Sequence, residues 1–338
     1  MSMRDYLEAA SLPLVKIGGI PVPRLILGHL PFVGESYQGP EKNRELASRF
    51  SNVENTVKIL SRAVAHYGVA VIGAQPSEGR LASLFLEAVR KTEQRTSVEL
   101  ALIACFRIPL VVGGKPVDDY RRWLTYYQAE KKVSGEVLKK YMEDPVLLCR
   151  ENWEEKFRYT LLHGRPYERR EIENMKIDFK KLDEAASSLQ GFRLLFTEPG
   201  SETDFLTLTD RLDLLGEVVS RLQDRLGCAT LLGIHHAGLT VPVLEKAGIR
   251  FEGYVTPVNR RGIMMFPTQE AAVEALKAAS RPVIAIKPLG GGRIPPETAF
   301  RYVYSIPKVA ACMVGVASER ELDEAVSRAL KAASLPKE

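Results

Sequence analysis

Two histidines stand side by side in LLGIHHAGLT (residues 231–240), in a chain of 338 residues with five histidines in all. Imidazole moves protons and binds metals near neutral pH, so His235 and His236 read first as an acid/base couple or as part of a metal site. Successive side chains on a strand point to opposite faces, so only one ring can enter a given pocket if this stretch is a strand. The expectation is His235 toward a cavity and His236 toward the helix layer or the following loop. A second stretch, KPLGGGRIPPE, sets Lys287 ahead of Gly290, Gly291, Gly292 and Arg293. Glycines let backbone approach a ligand closely, and backbone N–H groups beside a cation suit a phosphate. A third, VGVASERELDEA, places Gly315 and Ser318 before a helical run, with Glu321 spaced to complete a capping box. The plainer alternative is that the glycines only turn the chain and Ser318 only caps its helix.

Such residues need a frame. Apolar runs rich in Val, Ile and Leu recur at 24–32, 69–75, 97–106, 192–199, 229–237, 251–259, 281–289 and 309–317. Amphipathic helical patterns lie between most of them, as in NVENTVKILSRAVAHYG, which stops at Gly68. Continuous apolar strands followed by helices predict a parallel sheet covered by helices. Eight such units predict an α/β fold, a (β/α)8 TIM barrel forming a single domain over 1–338. A doubly wound open sheet is the runner-up. Residues 107–191 exceed what one connecting helix needs and read as a helical insertion between strands three and four, which either caps the barrel mouth or mediates oligomerisation.

Active sites of such barrels occupy the C-terminal strand ends. Those ends hold His29; Gln75, Ser77 and Glu78; Cys105 and Arg107; Thr197 and Glu198; His235 and His236; Thr256, Asn259, Arg260 and Arg261; Lys287; and Ser318. Loops after strands seven and eight commonly hold a phosphate. Lys287, Gly290, Gly291, Gly292, Arg293, Gly315 and Ser318 are therefore the candidate anion-binding set.

Composition narrows the class. The chain is 45% hydrophobic and 26% charged, with a formal net charge of +5, ordinary for a soluble protein. Basic and acidic residues are interspersed, so nucleic acid is not an expected partner. No apolar stretch is long enough to span a membrane, and the first residues lack a signal-peptide centre, so a cytoplasmic protein is expected. Cys105, Cys149, Cys228 and Cys312 are far apart and form no metal-binding pair. A small-molecule substrate or a phosphate-bearing ligand is the expected partner, and a homo-oligomer is compatible with the insertion.

Several stretches resemble the aldo-keto reductase superfamily. LVKIGGIPVPRLILGHLPFVG is similar to its opening hairpin and first strand, CATLLGIHHAGLTVPVLEKAG to its fifth unit, RPVIAIKPLGGG to its seventh strand, and PKVAACMVGVASERELDEAV to its eighth. The resemblance covers roughly three quarters of the chain, leaving out 107–191. It implies the barrel, NADP as cofactor, and an Asp, Tyr, Lys and His tetrad for carbonyl reduction. The tetrad positions depart from the pattern. Gly73 stands at the Asp, IGAQPSEG lacks the Tyr, Cys105 falls near the Lys, and Thr197 takes the His. The Ser-Asn pair that would hold the nicotinamide amide aligns with His235 and His236, and the stacking aromatic with Ile286. Three functions stay open on these residues. One is an oxidoreductase with a rebuilt acid/base group drawn from His29, Glu198 and His235. Another is a barrel enzyme using a metal or a Schiff base at Lys287. The third is a non-catalytic ligand-binding barrel.

Overall fold

The computed structural model describes residues 12–334. Eight parallel strands close into a barrel: β1 (Leu25–Gly28), β2 (Val71–Ala74), β3 (Ala101–Phe106), β4 (Arg193–Pro199), β5 (Ala229–Gly233), β6 (Gly253–Pro257), β7 (Val283–Ile286) and β8 (Val309–Gly315). Both faces of each strand are buried, one by the barrel interior and the other by the surrounding helices. That is why the apolar runs are continuous. Ile26, Val71, Ile103, Leu231, Val255, Ile284 and Met313 fill the interior. A hairpin of Leu14–Ile17 with Ile20–Pro23 sends Ile17 and Val22 into the same interior cluster, closing the barrel at the N-terminal ends of its strands.

Helices such as Val53–Tyr67, Arg80–Thr96, Leu212–Leu226 and Glu319–Ala333 form the outer ring. The first is capped by Asn52 and stops at Gly68, whose φ of 67° suits glycine.

Between β3 and β4 the chain adds a small three-stranded sheet (Leu110–Val112, Lys115–Pro116, Lys176–Ile177) and helices Asp119–Glu130, Val137–Glu143, Trp153–His163 and Arg169–Glu173. Trp123, Tyr126, Tyr141, Trp153 and Phe157 give these helices an aromatic core of their own. The insertion lies over the barrel mouth. Lys140 Nζ donates to the Gly262 carbonyl at 2.6 Å, the Met264 N–H donates to Asp144 Oδ2 at 2.7 Å, and Arg293 reaches the Pro145 carbonyl. These contacts pin it to the loops after β6 and β7. The next helix, Phe179–Ser187, packs on Leu212–Leu226 and joins the outer ring, with Asp183 paired to Arg221. Among the described residues no helix is long and apolar enough to cross a membrane.

Candidate functional site

The strand ends open into a cavity of about 730 Å³ lined by His29, Gln75, Cys105, Glu198, His235 and Lys287. Glycines hollow it. A Cβ on Gly233 would stand 2.6 Å from Glu198 Oε1, and one on Gly73 would stand 2.9 Å from Met313 Sδ and 3.1 Å from His29 Nδ1. Gly73 thus replaces the expected acid with space that the sulfur and imidazole occupy.

Lys287 follows β7 in a left-handed conformation, φ 54°, and faces Tyr37, itself at φ 59°. Such backbone costs about 1 kcal/mol or more in a residue with a Cβ and gathers at functional sites. The Lys287 ammonium lies 4.5 Å from the Tyr37 ring centroid and 3.2 Å from His235 Nε2. With the ammonium donating to Nε2, the imidazole proton sits on Nδ1, which is buried without a partner. Burial lowers Lys287 to about 8, while the carboxylates of Glu35 and Glu198 pull the other way. Burial also raises Glu198 to about 8, opposed by Lys287 and by a hydrogen bond with Cys105. His235 is pushed well below the ordinary histidine value by burial and by Lys287. Desolvation takes His29 to about 4, and its Nε2 meets Gln75 Oε1 at 3.1 Å. Near neutral pH the mouth therefore holds a protonated carboxyl, two neutral imidazoles and an amine within a pH unit or so of losing its proton.

His236 has a different setting. Its Nδ1 lies 2.6 Å from Glu130 Oε1, and Glu130's other oxygen accepts the Tyr141 hydroxyl. Tyr126 and Phe266 flank the ring at 4.1 and 5.1 Å between centroids. Burial lowers its pKa, yet Glu130 overrides that and leaves it raised. His235 lines the cavity, but both histidines lie past the end of β5 at Gly233, so strand alternation does not separate them. His236 turns into the insertion instead of the barrel's helix layer, because Glu130 and the aromatic cluster receive it there. Asp204 fixes the split by accepting the backbone N–H of both residues, at 2.6 and 3.2 Å.

The cavity's outer arm passes Gly291, Gly292, Arg293, Gly315, Ala317, Glu321 and Glu324. Arg293 donates to the carbonyls of Tyr37 (2.8 Å), Gly290 (3.0 Å), Gly291 and Pro145. A Cβ on Gly291 would stand 2.8 Å from the Tyr37 carbonyl oxygen, so this glycine accommodates the chain itself. Gly290 packs under Ile263 and Ile294. Ser318 Oγ accepts the Glu321 N–H, and Glu321 returns its carboxylate to the Ala317 N–H at 2.7 Å, one residue before the expected partner.

Other strand-end residues lie elsewhere. Thr197 pairs with Thr230 inside the barrel wall, Ser77 bonds Ser83 and Ser188, and Asn259 braces its own loop through Ile263. Arg107 points outward, and Arg260 and Arg261 are exposed. Sequence reasoning missed Tyr37, Arg122, Trp123, Glu130 and Asp204, which reach the mouth through tertiary packing and carry no local signal. Among the described residues no three His, Cys, Asp or Glu side chains gather as a metal site requires.

No family model matches the chain, and no curated protein matches it. Solved structures do. Two from Pseudomonas aeruginosa, provisionally assigned as aldo-keto reductases, superpose with TM-scores of 0.54 and 0.52 at 16% and 17% identity, covering 95% of this chain and 95% and 96% of theirs. An aldo-keto reductase from Bacillus halodurans, in its holo form, gives 0.51 at 10% identity, over 97% of this chain and 92% of its own. The fold is that of the aldo-keto reductases. Within this barrel, Gly73, Cys105 and Thr197 stand where the resemblance expects Asp, Lys and His. The titratable groups at the mouth come instead from β3, β4 and the loops after β1, β5 and β7.

Proposed function

We propose that the protein is an enzyme that captures a carbonyl compound on Lys287, with Glu198 and His235 as its proton carriers. The observation that carries this is the half-buried Lys287 amine 3.2 Å from His235 Nε2, in a cavity shared with Glu198. An amine attacks a carbonyl only as the free base, and burial brings Lys287 to about 8. Nζ adds to the carbonyl carbon while Glu198, protonated near neutral pH, delivers its proton to the alkoxide. His235 takes one proton from the new ammonium centre and returns it to the hydroxyl, which leaves as water. A protonated imine remains, with the Glu198 carboxylate as its counter-ion.

NADP, the coenzyme that the resemblance implies, fits the residues present poorly. Arg293 is engaged by carbonyls, the Ala317 N–H by Glu321, and the Glu321 and Glu324 carboxylates line the arm where phosphates would lie. Ile286 offers no aromatic face to a nicotinamide, and His235 and His236 are held by Lys287 and Glu130.

The test is borohydride trapping with a panel of aldehydes and ketones, read by peptide mass spectrometry. An adduct on Lys287 is expected, and no adduct with any member of the panel overturns the reading. A parallel NADPH fluorescence titration should be flat to millimolar concentration. Saturable binding there would favour a hydride-transferring oxidoreductase with the same lysine as proton donor.

A further inference from the structure

A second cavity, of about 540 Å³, lies between the insertion and the barrel mouth. Its wall includes Arg122, Trp123, Arg150, His235 and Lys287, and it shares Glu35, Tyr37, Ser201, His235 and Lys287 with the cavity above. Among the described residues seven buried side-chain nitrogens and oxygens lack a hydrogen-bond partner, and three of them belong to this one wall: Arg122 Nε, Trp123 Nε1 and His235 Nδ1. With the His235 tautomer set by Lys287, all three are N–H donors. A buried donor without an acceptor costs about 1–3 kcal/mol. Three together form a site preorganised for a ligand group that only accepts.

The charge balance selects that group. Arg122 spends its other nitrogens on Glu202 (2.8 Å) and Asp119 (2.5 Å), and Arg150 pairs with Asp119 at 2.7 Å while stacking over Trp123 and Trp153. Arg122 and Arg150 are thus matched by Asp119 and Glu202, whereas the exposed Glu35 only attracts Lys287 through space. Such a wall suits one negative charge held on N–H donors. It does not suit the doubled charge of a phosphate.

We propose that this cavity is a carboxylate subsite and that the compound meeting Lys287 is an oxo acid. The substrate class rests on Lys287 being the carbonyl-capturing amine. The carboxylate subsite itself does not. His235 and Lys287 line both cavities, so carbonyl and carboxylate lie in adjoining spaces. That adjacency indicates a short oxo acid, with the two groups separated by few bonds.

The test uses the full chain and Lys287→Met, with 2-oxobutanoate, 2-oxobutanamide and 2-hydroxybutanoate as probes, binding being measured by calorimetry. Both carboxylates should bind to the wild type and the amide should not, whereas Lys287→Met, which releases the His235 tautomer and removes a charge from the wall, should bind both carboxylates more weakly. Trp123→Phe, which keeps the ring packing and deletes the N–H, should weaken carboxylate binding about tenfold or more, as for loss of a hydrogen bond to a charged group. Equal binding of acid and amide, or no carboxylate binding to the wild type, overturns the subsite whether or not Trp123→Phe folds. If both carboxylates bind while borohydride traps no 2-oxobutanoate on the wild type, the subsite stands and the amine reading falls.

Discussion

Lys287 Nζ and His235 Nε2 approach to 3.2 Å across the mouth of the barrel, each supplied by a different strand end. The contact excludes a doubly charged pair, since an ammonium donating to Nε2 requires a neutral ring. It also fixes the sense of the imidazole, leaving Nδ1–H directed away from the amine. One ring thereby orients the amine on one edge and presents a donor on the other.

Imine formation should follow a narrow bell in pH. Lys287 must lose its proton and Glu198 must keep its own, and both groups titrate at about 8. Below that value the rate should rise about tenfold per unit as free amine appears, and above it the rate should fall as Glu198 ionises. Stopped-flow measurement of trapping against pH checks this. Glu198→Gln should lower the rate by about a hundredfold or more and remove the alkaline limb.

Replacing Lys287 by Met should stabilise the fold while abolishing trapping. A lysine lowered from 10.5 to about 8 favours its neutral form in the native state. Its contribution is fully present above the unfolded value and is lost as pH falls toward about 8. At pH 7 the half-buried ammonium therefore costs on the order of 3 kcal/mol. Glu198 has the opposite sign. Raised from 4.5 to about 8, it contributes stability below pH 4.5 that is lost as pH rises toward 8. Thermal melts at pH 7 should place Lys287→Met several degrees above the wild type, roughly what a change of this size produces. An unchanged or lowered Tm would remove the case for a strained lysine.

The two adjacent histidines should separate cleanly. His235→Ala removes the partner of Lys287 and should change trapping and carboxylate binding with little loss of stability. His236→Ala leaves Glu130 buried without its imidazole and opens a cavity among Trp123, Tyr126 and Phe266. Breaking a buried pair from one side costs about 3–5 kcal/mol, which denaturant unfolding would register. Because Glu130 raises His236, the pair stabilises most below the ordinary histidine value and loses that contribution as pH rises through the raised one.

Those histidines also mark how far the sequence could be read. The periodicity of the apolar runs yields the barrel and the insertion, but His235 and His236 lie past the end of β5, where Asp204 and Glu130 separate them and strand alternation does not. His29, Glu198, His235 and Lys287 lie at strand ends, where barrel geometry brings them together. What surrounds them was not legible. Arg122 and Trp123 sit in an ordinary amphipathic helix, and only its docking over the mouth turns them into cavity wall. Arg293 reads as a phosphate ligand because its local sequence is glycine-rich, and only the folded chain shows that its guanidinium also meets Tyr37 and Pro145, residues distant in sequence.

Gly233→Ala tests whether the mouth is as closely fitted as the glycines imply. A Cβ there would approach Glu198 Oε1 to 2.6 Å and the Pro199 carbonyl oxygen to 2.9 Å. The carboxyl can swing away, but the Pro199 backbone belongs to β4 and cannot, so part of the strain must remain. The expected result is a loss of about 1–3 kcal/mol in stability, as for overpacking elsewhere, with trapping slowed more than Lys287 titration is shifted. Gly73→Ala should behave differently, since its Cβ would meet the flexible Met313 side chain at 2.9 Å and His29 Nδ1 at 3.1 Å. Met313 yields readily, so stability should fall less, while displacement of His29 should alter which carbonyl compounds fit. Parallel melts and trapping rates on the two variants distinguish backbone crowding from side-chain crowding. Equal effects at both positions would mean that β4 relaxes, and that Glu198 is not held where the proton transfer needs it.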